Sequence, residues 1–236
     1  MSINSSSYKN KRGQPIGEPI TQWTAPNHIG VPAISGNHIV LERLATSHTT
    51  DLYQAFSKEI DDATWTYLPY GPFTSKAQFQ EWLIPFSQSE DPWMFALIDK
   101  DTGKASGVAS YLRINPNAGS VEVGHIHYAK RLKKTRAATE VMYLMAEHAF
   151  NLGYRRYEWK CDSLNRSSKS AAKRLGFTFE GVFRQATIYK QRNRDTAWFS
   201  LLDTEWQRQQ DVFQRWLSDD NFDSQGYQKT SLSSLR

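Results

Sequence analysis

Between Thr135 and about Leu152, apolar side chains return every three to four positions, at Ala138, Val141, Met142, Met145, Ala149 and Leu152. That spacing lays them along one stripe of an α-helix, and Gly153 can end it in the left-handed conformation. Just upstream the pattern is β-prone. Runs at 93–98, 107–114 and 121–128 are separated by Asp99-Lys100-Asp101-Thr102-Gly103 and Asn115-Pro116-Asn117-Ala118-Gly119. Turns that short predict three consecutive antiparallel strands.

The flanks extend this order. Ahead of the strands, a β-prone run at 38–44 marks the expected start of order. Thr46-Ser47-His48 then opens a helix to about Lys58, and Thr74 or Ser75 caps a second to about Ser87, with Phe79, Trp82, Leu83 and Phe86 at helical spacing. Between the helices, Trp65-Thr66-Tyr67-Leu68-Pro69-Tyr70-Gly71-Pro72-Phe73 is too proline-rich for a helix and too aromatic for a solvated loop, so it should fold onto the core or wall a pocket. After the long helix, 157–161 reads as a strand, 165–175 as a helix closed by Gly176, 177–189 and 196–202 as a strand pair, and 205–217 as an amphipathic helix. Residues 1–36 are rich in Ser, Asn, Gly and Pro, an arm expected to be disordered or to lie against the domain. The domain itself is expected over 37–205, with 206–236 a C-terminal helix and tail packed on it.

Composition changes this picture only modestly. With 236 residues and 39% hydrophobic content the chain can bury one substantial core. A net charge of +5 favours anionic ligands without requiring nucleic acid, and the basic residues Arg155, Arg156, Lys169, Lys173 and Arg174 accompany no base-reading motif. The single cysteine, Cys161, excludes an intrachain disulfide and reads as a small buried hydrophobe. The uncharged stretch 19–41 is broken by Pro19, Pro26, Pro32, Gly30 and Gly36, so no membrane partner is expected. No signal-peptide pattern opens the chain; the expected compartment is the cytosol, with nuclear entry left open. His125 and His127 alternate on one predicted strand, but no third ligand follows at metal spacing, so no metal is expected.

Three motifs carry a resemblance. Val121-Glu122-Val123-Gly124-His125-Ile126 resembles the E-x-G-h strand of the RimJ/RimL branch of the GNAT N-acetyltransferase superfamily, and Ala137-Ala138-Thr139-Glu140-Val141 resembles the A-T-E-A that opens its long helix. Asn165-Arg166-Ser167-Ser168, followed by Leu175-Gly176-Phe177-Thr178-Phe179-Glu180-Gly181, is similar to its N-x-x-S and L-G-F-x-x-E-G. The resemblance spans about residues 37–205. It implies a mixed α/β fold: a twisted, mostly antiparallel sheet, splayed between its fourth and fifth strands, with helices on both faces. It also implies acetyl-CoA as co-substrate, an amine-bearing acceptor (a protein N-terminus, a lysine or a small amine), and a monomer or homodimer.

Roles follow from the resemblance residue by residue. Glu122 becomes the candidate general base, the alternative being a half-buried partner for an arginine, and Ser168 the candidate proton donor to the departing thiolate, the alternative being a helix-start hydroxyl. The tyrosine many GNAT enzymes use there would fall near Ala172 and is absent. Asn165 matches a pantetheine contact, and Ile126 lies on the acetyl-site strand. The pyrophosphate would sit over Lys133, Lys134, Thr135, Arg136, Ala137, Ala138 and Thr139, with Lys134 and Arg136 standing where the family usually has glycines. Side-chain charge is expected to replace part of the backbone cradle. Trp65, Tyr67, Tyr70 and His125 are candidates for the acceptor cleft. The rival reading is a non-catalytic CoA-binding or interaction module on the same fold.

Overall fold

A computed structural model describes residues 7–59 and 62–236. Thirteen elements follow in chain order: β1 (Ala33–Ser35), β2 (Ile39–Arg43), α1 (Thr49–Glu59), α2 (Lys76–Gln88), β3 (Trp93–Asp99), β4 (Lys104–Asn115), β5 (Ser120–Tyr128), α3 (Arg136–Asn151), β6 (Arg156–Asp162), α4 (Arg166–Arg174), β7 (Thr178–Tyr189), β8 (Arg192–Leu202) and α5 (Asp203–Leu217). The strands form one sheet in the order β1-β2-β3-β4-β5-β6-β8-β7. Every neighbouring pair is antiparallel except β5 and β6, which are parallel because α3 carries the chain across between them. This is the expected mixed α/β architecture.

The central strands are apolar on both faces because both are covered. Phe95, Leu97, Ala109 and Tyr111 pack in one cluster with α3 residues Val141 and Met145, while Met94, Ala96 and Val108 pack in another with Leu52 and Phe56 of α1 and Phe79 and Leu83 of α2. Successive side chains of a strand point to opposite faces, so two cores share one sheet. The α5 helix closes the first: its Trp206 stacks on Phe150 of α3 at 4.9 Å between ring centres. Among the described residues no helix is long and apolar enough to cross a membrane.

Order begins earlier than the run at 38–44. β1 pairs with β2 through Ala33↔Glu42, Ile34↔Leu41 and Ser35↔Val40. The approach to it is fixed too: Trp23 Nε1 donates to the Gly153 carbonyl at 3.0 Å, and Ile29 is fully buried. Glu140 of α3 holds the β1–β2 turn, its carboxylate accepting from the Asn37 and His38 backbone N–H groups at 2.7 Å each. A side chain at Gly36 would strike that carboxylate, with only 2.6 Å available. The Glu of the Ala137–Val141 motif is therefore structural here. β8 also starts earlier than expected, at Arg192, because Lys190 and Gln191 both adopt positive φ (47° and 58°) and make a tight two-residue hairpin despite lacking Asn-Gly chemistry.

Candidate active site

β5 and β6 hydrogen-bond only at their start, from Ser120↔Arg156 to Val123↔Trp159. β5 continues to Tyr128 and β6 to Asp162, so beyond Val123 and Trp159 their facing edges do not pair. The expected splay is here; β1 shifts it to the fifth and sixth strands. A bulge sharpens it. Ser110 pairs with Gly124 and Val108 with His127, so His125 and Ile126 together oppose Ala109. His125 takes φ 50°, a left-handed value uncommon outside glycine, and such a bulge re-aims the local peptide groups. A cleft of about 420 Å³ fills the splay, with Glu122, His125 and Ile126 on one wall and Trp159, Cys161, Asn165 and Ser168 on the other.

Glu122, 4% exposed, lies within a line of alternating charges across the sheet. Arg113 Nη1 is 2.6 Å from its Oε2, and Lys160 Nζ is 3.1 Å from the same oxygen. Lys160 in turn reaches Glu158 at 2.7 Å, Glu158 meets Arg156 at 2.6 Å, and Arg156 meets Glu180 at 2.7 Å. The parallel register sets Glu122 beside Glu158, and Lys160 separates the two like charges from its place over the Trp198 ring, 3.7 Å from the centroid. Burial raises the Glu122 pKa above the usual carboxylate range, against the opposing pull of Arg113 and Lys160. Glu122 is thus an arginine partner and a cleft-lining carboxylate at once. Arg113 and Lys160 were not anticipated; a lysine inside the aromatic run Tyr157-Glu158-Trp159-Lys160-Cys161 was the one available signal.

Ser168 stands across the cleft. Its Oγ accepts from Trp159 Nε1 at 2.9 Å, and its backbone N–H is capped by Asn165 Oδ1 at 3.0 Å. Asn165, and not the Ser168 hydroxyl oxygen, is therefore the group that caps the helix. Asn165 Oδ1 also accepts from Ser167 Oγ at 2.9 Å, so that oxygen is engaged locally. Burial pushes the Cys161 thiol up, with Ser168 pulling the other way. The family tyrosine's position, Ala172, is fully buried.

The loop before α3 divides its charges differently from the expectation. Lys134 adopts φ 63°, the conformation a glycine there would supply. Lys133 lines the cleft. Arg136, by contrast, turns away from a phosphate role: its Nη1 pairs with Asp219 at 2.8 Å, its Nη2 donates to the Leu217 carbonyl, and its guanidinium covers Phe222 at 4.4 Å. The partners lie some 80 residues downstream, invisible to a local reading. Thr135 Oγ1 accepts from the Ala138 N–H at 3.1 Å as the α3 cap, and Thr139 Oγ1 accepts from Arg174 at 3.2 Å. Arg136 and Ala137, the first helical residues, keep backbone N–H groups with no intrahelical acceptor, which suits an anion at the positive end of the helix.

The aromatic candidates separate. Trp65 is 4% exposed and stacks on His127 at 4.1 Å, with Gly71 packed against it; it belongs to the core. Tyr67 lines the cleft, and its hydroxyl donates to the Leu164 carbonyl at 3.3 Å, crossing above the splay. Tyr70 lies behind the wall, its hydroxyl 3.0 Å from His125 Nδ1. Burial holds His125 at about 4 and His127 at about 3, so both rings are neutral at pH 7. They point into different packing environments. The β7–β8 hairpin tip also crosses to this segment: Lys190 Nζ donates to the Trp65 carbonyl and Arg192 Nη2 to that of Thr66, both at 2.8 Å. The basic residues Arg155, Arg156 and Arg174 make no shared patch, since each is engaged with Trp23 and Asp203, with Glu158 and Glu180, or with Thr139 and Trp216.

Residues 38–178 match the model of the acetyltransferase (GNAT) domain. A GCN5-related N-acetyltransferase from Brucella melitensis is 42% identical over 91% of this chain and 98% of its own, with a TM-score of 0.89. A probable GNAT-family acetyltransferase from Chromobacterium violaceum ATCC 12472 is 39% identical over 82% and 98%, with a TM-score of 0.77. RimL, the ribosomal L7/L12 alpha-N-protein acetyltransferase, shares the fold at 21% identity and a TM-score of 0.61. No curated protein matches the chain.

Proposed function

The chain belongs to the GNAT acetyltransferases, and on that footing we propose that it transfers the acetyl group of acetyl-CoA to a primary amine by direct attack, without an acyl-enzyme. The observation that carries this reading is the pairing of Glu122 and Ser168 on opposite walls of the cleft where β5 leaves β6. Acyl transfer to an amine needs one group to take a proton from nitrogen and one to give a proton to sulfur. The two walls offer one of each.

In this reading the N–H groups at the start of α3, with Lys133 and Lys134, hold the pyrophosphate, and Asn165 and Ile126 border the pantetheine arm. Lys134 supports the fit, since its backbone already has the left-handed form that a family glycine would take. That same observation weighs against the non-catalytic rival, which rested on the missing glycines. Re-aimed peptide N–H groups at the His125 bulge polarise the thioester oxygen. Glu122, its basicity raised by burial, accepts the amine proton directly or through water as the N–C bond forms. As the C–S bond breaks, Ser168 gives its hydroxyl proton to sulfur and takes one back from solvent in the open cleft, and the Trp159 N–H donated to its oxygen makes that proton easier to release.

The test is thiol release from acetyl-CoA in the presence of peptides, amino acids and polyamines. Acceptor-dependent release is the expected result. Tight acetyl-CoA binding with no release for any amine would support the non-catalytic reading instead.

A further inference from the structure

A second concavity, about 1080 Å³, opens beside the cleft beneath the β7–β8 hairpin. The two share Arg113, Lys160 and Arg194, so the groove leads to the edge of the site where Glu122 lies. Its size exceeds what a small amine would fill and suits a short stretch of extended chain.

The charges in the groove are unequal. Arg113, Glu122, Lys160, Glu158, Arg156 and Glu180 alternate and cancel among themselves. Outside that line, Arg184 and Arg194 share the groove with Asp195, whose Oδ1 already accepts from the Gln185 N–H at 2.7 Å and from Asn193 Nδ2 at 3.0 Å, and Arg194 shares the cleft with Asp162, whose Oδ2 already accepts from the Tyr189 hydroxyl at 2.7 Å. Arg194 Nε is buried with no hydrogen-bond partner among the described residues, and its guanidinium lies 5.8 Å from the centre of the Tyr189 ring. Arg113 contacts Glu122 through Nη1 alone, and its side chain is 60% exposed, which leaves its remaining donors open to solvent. Beside these cations, Phe183 is 56% exposed and packs on Trp198 at 4.5 Å, an apolar shelf in an otherwise polar groove.

Planar guanidinium groups with free N–H donors are matched to carboxylates. Resting on the acetyl-transfer reading above, we infer that the acceptor is an amine whose own molecule carries carboxylates near the nitrogen, read by Arg113, Arg184 and Arg194, an N-terminus followed by acidic residues being the form that fits the open groove. The side-chain methylenes of such residues would lie on Phe183 and Trp198. A polyamine, by contrast, would meet like charge.

The experiment compares kcat/KM for peptides identical except for Asp-Asp, Asn-Asn or Lys-Lys after the first residue, alongside free aspartate, free glutamate and spermidine. The Asp-Asp peptide should exceed the Asn-Asn peptide by about tenfold or more at low salt, with the advantage shrinking as salt rises. Free aspartate or glutamate outperforming the peptides would keep the carboxylate requirement and assign it to a small acceptor. Arg184→Glu, at an exposed position of the groove outside the cleft, should erase the acidic preference while keeping the acetyl-CoA-induced thermal shift. Arg184→Glu/Arg194→Glu, read by the same peptide ratio alone, should reverse it. Equal or better turnover of Lys-Lys peptides or spermidine overturns the inference and leaves acetyl transfer standing, as does an acidic preference unchanged in the folded variants. Silence with every acceptor overturns the transfer reading, and this inference with it.

Discussion

Arg113 Nη1 lies 2.6 Å from Glu122 Oε2, and the arginine reaches it from a backbone at φ 49° in the irregular end of β4. Burial raises the Glu122 pKa, and Arg113 is the first of the influences that lower it. Arg113→Ala should therefore raise it further. A base must be ionised to work, so the acid limb of the kcat–pH profile should move to higher pH, with turnover depressed on the acid side of the profile and recovering in alkaline buffer. Glu122→Gln should lower kcat by about 10²–10⁴ with little effect on acetyl-CoA affinity. An unmoved acid limb in folded Arg113→Ala, with a proven acceptor, would assign the titration to another group.

Lys133 and Lys134 are expected to act on the ligand, and Arg136 on the fold. A Lys133→Ala/Lys134→Ala variant should show a smaller acetyl-CoA-induced rise in Tm, since stabilisation by a ligand follows its affinity. Arg136→Ala should lose about 1–2 kcal/mol of stability without ligand, from its bonds to Asp219 and Leu217, and keep the ligand-induced rise. Thermal scans with and without acetyl-CoA separate the two. The opposite pattern would return Arg136 to the phosphate site.

Truncations should show a sharp boundary. A chain beginning at residue 22 keeps Trp23, Ile29 and β1, and should melt with the full-length protein. One beginning at 37 loses the buried Ile29, the Trp23–Gly153 bond and the β1 pairing, and its Tm should fall by about 5 °C or more. Equal melting of both would mean that the segment lies on the domain without stabilising it.

Trp65→Ala should cost about 3–5 kcal/mol, the usual range for emptying a buried aromatic site. Gly71→Ala should also destabilise, because its Cβ would come within 2.4 Å of the Trp65 ring at φ 64°. Chemical denaturation measures both. A stable Trp65→Ala with a raised acceptor KM would move Trp65 from the core to the substrate.

Much of the fold was legible because its signals are local. The periodicity of Ala138, Val141, Met142 and Met145 specified α3, and the short turns at 99–103 and 115–119 specified the β3–β4–β5 meander. β1 was not, since three residues, two of them exposed, have no pattern of their own, and the turn that follows them is held by Glu140 a hundred positions away. The site divides in the same way. Glu122 and Ser168 could be named from motifs, whereas Lys160, Arg194 and the engagement of Arg136 with Asp219 arise from register and from chain returning at long range. Trp65 shows the limit of composition: an aromatic run beside a cleft supplies both lining and foundation, and only packing tells Tyr67 from Trp65.

The crossings from Tyr67 to Leu164, from Lys190 to Trp65 and from Arg192 to Thr66 span the open side of the splay. They tie the segment around Trp65 to the opposite wall like struts across a trench, and on the transfer reading proposed above such struts would favour a slender free end over an amine on the broad flank of a folded body.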